Sequence, residues 1–213
     1  DKAAQHGGIL SGDGKIDSRT IAVEVMIMDG DYQSQVDELM RYAYRRDQRL
    51  YVTDSRYVNV ACLSKCQEAF FDGYYQERGK INLAFLALDP FFYSDIPNVS
   101  TTAIDVSPRQ ITINNPGNVD TPAKITITAT AAATAITVVN QTDSNRRMDY
   151  ADPQMIAGQA LVVDTVTGSV ARGGINTINN FSGTFLSLLP GANVLEYTGG
   201  ACTLQVDFTA RWL

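Results

Sequence analysis

Histidine occurs once in these 213 residues, tryptophan once and cysteine three times, and each shortage excludes a kind of chemistry. His6, in a Gly-rich segment, is the sole imidazole that a Ser-His-Asp or Cys-His arrangement would have to recruit. Cys62, Cys66 and Cys202 are odd in number and do not look like a disulfide framework. Cys62-x-x-x-Cys66 with distant partners is also a poor start for a four-ligand zinc site, so the three read as buried, reduced thiols. No apolar run reaches the ~18 residues of a membrane span. Basic residues are outnumbered 17 to 23, giving a net charge of −6, the reverse of what nucleic-acid or cationic membrane binding requires. The chain opens on Asp1-Lys2-Ala3 with no methionine or apolar signal core, and is expected to be a fragment or a processed product.

What remains is an ordinary apolar fraction, 45%, in a chain long enough for one large domain or two small ones. Composition shifts near residue 104. Residues 1–103 hold eight of the ten tyrosines and four threonines, whereas residues 104–213 hold 15 threonines. Pro90, Pro97 and Pro108, with small polar residues between them, read as a connection. Two domains are expected, 1–103 and 104–213, and residues 107–213 are long enough for an independent core.

In the first half, Ile21, Val23, Val25 and Ile27 alternate with smaller or polar residues, the pattern of a strand with one buried face. Asp29-Gly30-Asp31 breaks it. Val36, Leu39, Met40, Ala43 and Tyr44 then fall on one helical stripe, predicting a helix over 32–47 capped by Asp31 or Ser34. Arg41, Arg45, Arg46 and Arg49 form the one basic cluster, a solvated or interfacial helix face. Leu50–Val52, 57–63 and 81–88 supply further strands, making a small α+β domain with one helix. In the second half, Ile111/Ile113, Ile125/Ile127, Ile136/Val138, Leu161/Val163, Phe185–Leu189, Val194–Tyr197 and Leu204/Val206/Phe208 are short apolar runs between turn residues, the pattern of a β-sandwich. Gly199-Gly200 is expected to close a hairpin pairing Tyr197 with Cys202 and Leu195 with Leu204. Alternation puts Leu195, Tyr197, Cys202, Leu204, Val206 and Phe208 on the inner face, with Glu196, Thr203, Gln205 and Asp207 outside.

No catalytic, cofactor-binding or metal site emerges from these residues. Gly12-Asp13-Gly14-Lys15 lacks the first glycine of a phosphate loop and the Ser or Thr that should follow the lysine. Asp13, Lys15 and Asp17 do not make a calcium loop, since Lys15 takes a ligand position. Glu68, Asp72 and Glu77 lie beside Gly73 and Gly79 and read as loop solvation rather than an acid/base pair. The sequons at Asn98, Asn140 and Asn180 are no more than chance supplies. A carbohydrate site built from Trp212, Tyr150, Phe181 and Asn176, Asn179 and Asn180 is the alternative to core or interface roles for those rings.

One ordered succession of motifs is more specific. It runs Arg19-Thr20-Ile21-Ala22-Val23; Leu88-Asp89-Pro90-Phe91-Phe92-Tyr93; Asn114-Asn115-Pro116-Gly117-Asn118 before Pro122-Ala123-Lys124-Ile125; Ala160–Asp164 before Gly168-Ser169-Val170; Leu189-Pro190-Gly191-Ala192-Asn193; and a closing Arg211-Trp212-Leu213. This order resembles the distal tail protein family of long-tailed, siphovirus-type bacteriophages and related tail-like particles, although that family's first strand is missing before Lys2. The resemblance implies a mainly β chain: residues 1–103 as a ring-forming, tail-tube-like domain, and 104–213 as a galectin-like β-sandwich carried outside it. It implies a non-enzymatic hexameric ring in the virion, made in the host cytoplasm, joining the tail tube to the baseplate hub and to receptor-binding or side-fibre proteins. DNA would pass through without specific binding, with no cofactor and no membrane insertion. A lectin-like module for host attachment is the competing reading.

Overall fold

The computed structural model describes residues 17–27, 32–45, 48–63, 67–70 and 79–213. The chain divides into two compact units, Asp1–Leu50 with Val58–Pro90, and Tyr51–Tyr57 with Phe91–Leu213. In chain order the first elements are β1 (Arg19–Ile27), α1 (Tyr32–Ala43), β2 (Gln48–Thr53), β3 (Arg56–Cys62), β4 (Gln67–Phe70) and β5 (Gly79–Ala87). Then come β6 (Phe92–Ser94), β7 (Asn98–Ile104), β8 (Arg109–Asn115), β9 (Thr121–Pro122), β10 (Lys124–Ala129), β11 (Ala135–Asn140) and β12 (Arg146–Ala151). The last are β13 (Ala160–Asp164), β14 (Ser169–Arg172), β15 (Ile175–Asn176), β16 (Phe181–Gly183), β17 (Ser187–Leu188), β18 (Gly191–Thr198), β19 (Cys202–Phe208) and β20 (Arg211–Trp212). The chain is mainly β, as its alternating apolar runs predict.

In the first unit β5 pairs antiparallel with β1 along its whole length, from Arg19↔Ala87 to Ile27↔Gly79. Its other edge takes β4 and the end of β3. Period-two alternation sends Ile81, Leu83, Phe85 and Ala87 to one face, where they are buried with Val58 and Val60. The helix supplies Val36 and Ala43, buried, and Leu39 and Met40, half-buried, toward this layer. Its stripe is one residue shorter than predicted. The helix ends at Ala43, and Tyr44 stands exposed. Ser34 is no cap, because it is already the third helical residue. Asp29-Gly30-Asp31 and residues 46–47 lie outside the described residues.

The second unit is a sandwich. One sheet has the order β15-β14-β13-β10-β19-β7, the other β16-β12-β11-β18-β8, with a small β17-β9 pair at one end. Ile125, Ile127, Leu161, Val163, Leu204 and Val206 from the first sheet meet Ile113, Ile136, Val138, Met148, Leu195 and Tyr197 from the second in one buried cluster. Every apolar run predicted for this half is a strand here, though Phe185–Leu189 is reduced to Ser187–Leu188.

Two expectations fail in this unit. The Pro-rich stretch is not a bare connection: it contains β6 and β7, and β7 pairs with β19 from Ile104↔Cys202 to Asn98↔Phe208. The units accordingly part at Pro90/Phe91. Gly199-Gly200 does not close a hairpin either. β18 pairs with β8 and β11, and β19 with β7 and β10, so the chain crosses from one sheet to the other there. The predicted facing is nonetheless right: Leu195, Tyr197, Cys202, Leu204, Val206 and Phe208 are all buried. The crossing needs both glycines. A Cβ on Gly199 would meet the Tyr197 hydroxyl at 2.5 Å, and one on Gly200 would collide with the Ala132 carbonyl.

A fragment beginning at residue 107 therefore lacks a strand of the sandwich and bares the hydrogen-bonding edge of β19. Phe91–Leu213 is expected to unfold cooperatively in urea, with 107–213 showing a lower midpoint or concentration-dependent light scattering. Equal midpoints for the two fragments would contradict the assignment of β7 to the sandwich.

Candidate functional site

The family-like motifs of the second unit converge on buried amides. Asn115 closes β8, and its Nδ2 lies 3.0 Å from the Leu188 carbonyl, 3.2 Å from Val119 O and 3.2 Å from Thr121 Oγ1. Its Oδ1 accepts the Gly117 N–H at 3.0 Å. Gly117 must be glycine, since a Cβ would strike the Arg211 carbonyl. Asn140 closes β11, donates to Ser187 O at 3.0 Å and to Asn193 Oδ1 at 3.2 Å, and accepts from the Thr142 and Asp143 N–H groups. Asn193 donates to Leu189 O at 2.7 Å and Gly191 O at 3.0 Å, and accepts from Leu189 N at 2.9 Å. Gly191, with φ +86°, makes the left-handed step this turn requires. The sequon at Asn140 is thus a buried structural amide. Asn193→Ala strips partners from Leu189 and Gly191 at about 1–3 kcal/mol for each buried group left unpaired. A loss below about 1 kcal/mol in urea unfolding would show that water satisfies them instead.

A second polar cluster ties the two sheets at one edge. The carboxylate of Asp152, just past β12, is buried and lies 2.8 Å from Arg172 Nε at the end of β14. It also accepts the Gln154 N–H at 2.9 Å and the Tyr150 hydroxyl at 2.8 Å, and that hydroxyl lies 3.1 Å from Thr177 Oγ1. The Gln154 N–H, with Tyr150 and Arg172 adding to it, holds the carboxyl below the usual carboxylate range against the opposing effect of burial. Burial pushes the Tyr150 hydroxyl up. A depressed carboxyl stabilises the fold above its unfolded value of about 3.9, and that stability is lost as pH falls through the lower folded value. Asp152→Asn is expected to cost about 1–3 kcal/mol at pH 7, because Arg172, half-buried and still bonded to Gln154, loses its carboxylate. The gap to wild type should shrink as pH falls below about 4, measured by thermal unfolding across pH. A pH-independent gap would rule the carboxylate out as the cause.

Rings and guanidinium groups dominate two other places. Within the second unit, Tyr51, Tyr57 and Tyr93 form a file with centroids 5.8 and 6.0 Å apart, and the Tyr51 hydroxyl donates to Asp95 at 2.8 Å. Arg56 lies 3.8 Å over the Trp212 ring and Arg211 lies 4.5 Å over Phe91. Within the first unit, the predicted basic helix face is built around Tyr42, which Arg41 and Arg45 flank at 5.3 and 4.9 Å from its centroid. Arg41 also sits 3.7 Å from Glu38. Beside Tyr42 opens a groove of about 170 Å³, floored by Leu39, Leu50, Val60, Leu83 and Phe85 and edged by Arg49.

Of the residues considered for a sugar site, Tyr150, Phe181 and Asn180 are neighbours, Tyr150 pairing with Phe181 across β12 and β16 and its hydroxyl bonding to Asn180, but Trp212 is not among them. Tyr150 is buried on Asp152, Phe181 stacks on Phe185 at 4.7 Å against the core, and Trp212 lies under Arg56 on a different sheet. Asn176 and Asn179 are exposed and Asn180 half-buried. Cys202 is buried, with its thiol pushed up by burial, and Cys62 is half-buried. Among the described residues no group of three or more His, Cys, Asp or Glu could hold a metal ion, and no helix is long and apolar enough to cross a membrane. His6, Gly12–Lys15, Cys66, Asp72, Gly73 and Glu77, and the side chain of Glu68, lie outside the described residues. Sequence reasoning missed Asp152 and Arg172, which carry no spacing signal. It also missed Asn140 as a hub; the sole hint was a polar residue at the inward position that ends an alternating strand.

Comparison with known proteins adds identity to this geometry. Residues 116–212 match the family described as siphovirus-type tail component, C-terminal domain. Curated protein sequences give no match. Among solved structures, the chain is similar to the SPP1 Dit protein, titled a paradigm of the hub adsorption apparatus of phages that infect Gram-positive bacteria. The TM-score is 0.69 at 17% identity, over 97% of this chain and 86% of that one. The match over residues 116–212 and the likeness of fold both support the resemblance to siphophage distal tail proteins that the sequence motifs carry.

Proposed function

We propose that this protein is a ring-forming adaptor at the tip of a phage tail, and that it works by assembly rather than by catalysis. The family match over the sandwich carries the reading, because that family is a structural tail component. The likeness of fold to a hub adsorption protein over nearly the whole chain supports it. In this reading the first unit builds a hexameric ring continuing the tail tube, and the galectin-like sandwich sits outside it, toward the hub and the receptor-binding or side-fibre proteins. The acidic balance, 23 against 17, suits a ring that DNA traverses without being held. The exposed tyrosine and arginine side chains suit a block with several protein interfaces. The protein would reside in the virion and be made in the host cytoplasm.

Light scattering with negative-stain imaging of the full chain tests this. Closed particles at a fixed multiple of the 23.2 kDa chain mass are expected, alone or with a tail-tube or hub partner added. A chain that stays monomeric with both partners present would refute the ring.

A further inference from the structure

The basic helix face and the groove beside it have no role in the fold itself, and the same unit carries a side chain that would fill them. The groove has an apolar floor of Leu39, Leu50, Val60, Leu83 and Phe85. Its rim carries Tyr42, 47% exposed and held between the Arg41 and Arg45 guanidinium groups. Its volume of about 170 Å³ is comparable to apolar cavities of roughly 150 Å³ that admit benzene-sized groups. Leu88, just past the end of β5, is 77% exposed beside Asp89.

Alternation settles the placement of the two features. Leu83 and Phe85 point to the helix-covered face that floors the groove. Leu86 lies on the opposite face, and Leu88, in the bend just past β5, lines a shallow hollow with it and with Asn59, Val60 and Ala61. A knob beside Leu86 cannot fill a hole on the other face within its own chain, but it can from one copy to the next. Such a contact is heterologous, and heterologous contacts repeat head to tail, giving a ring where the rotation closes and an open filament where it does not. The charges are opposite in sign and so complementary: the rim is arginine, and the residue following the knob is an aspartate. Arg and Tyr around an apolar pocket are also the composition of an interface hot spot.

We propose that Leu88 of one copy seats in the Tyr42/Arg45 groove of the next, forming the repeating head-to-tail contact between subunits. This rests on the ring reading above and specifies its interface. Two variants test it, both at exposed positions and both required to match the wild-type thermal unfolding temperature: Leu88→Lys removes the knob, and Tyr42→Ala with Arg45→Glu removes the hole.

In sedimentation velocity of the full chain, each variant alone is expected to weaken self-association by about tenfold or more, as for a hot-spot anchor. An equimolar mixture of the two retains one intact knob and one intact hole per pair, so it should give heterodimers and no rings. Rings that persist in both variants would overturn this interface while leaving the ring reading intact, and would mark the groove as a site for a different partner. A mixture that behaves as two monomers would overturn the head-to-tail pairing. A wild-type chain that stays monomeric at every concentration, with or without partners, would overturn both readings.

Discussion

A sandwich closes its faces with apolar side chains, but the connections at its ends carry backbone groups that no ladder satisfies. In the second unit three buried asparagines meet that requirement at one end. Asn115, Asn140 and Asn193 stand at the ends of three adjacent strands, β8, β11 and β18, and two of them reach the same two-residue strand, at the Ser187 and Leu188 carbonyls. An amide can donate and accept at once, so one side chain ties a turn to a neighbouring strand where a serine could make half the bonds. The apolar core sets the two sheets face to face. The amides fix which loops lie across their ends, and with them the path of the chain between sheets.

This explains why turn motifs stand beside strands among the motifs that resemble the tail-protein family. Strand positions accept any apolar residue of suitable size, whereas Asn115 beside Gly117, and Asn193 beside Gly191, each answer a specific set of unpaired groups. Asp152 and Arg172 do the same work at the sandwich edge with charge in place of amide.

Much of the architecture was legible because alternation reports facing directly. Leu195, Tyr197, Leu204 and Val206 were assigned inward and are inward. Alternation is silent about neighbours, and so the same residues were given the wrong partners: a glycine pair between two alternating strands reads the same whether the chain folds back within a sheet or steps across to the other. β7 was hidden by composition, since an edge strand needs one half-buried face and Ser100 and Thr102 suffice there. Tyr44 was counted into the helix stripe by its spacing from Val36, yet the helix stops before it could turn inward. Long-range pairs such as Asp152 with Arg172 leave no local pattern to read.

The crossing at Gly199-Gly200 also sets the order in which the molecule can be completed. β18 lies between β8 and β11, and β19 between β7 and β10, so the strands nearly last in sequence fill interior slots of both sheets. While the chain is still emerging from the ribosome, β8 and β11 have no strand between them, and neither do β7 and β10. The first of these gaps cannot fill until synthesis has passed residue 198, and the second until it has passed residue 208. Completion of the sandwich therefore waits on long-range pairing, the kind that slows folding, and a chain cut before β18 lacks an interior strand in both sheets instead of forming a smaller folded one.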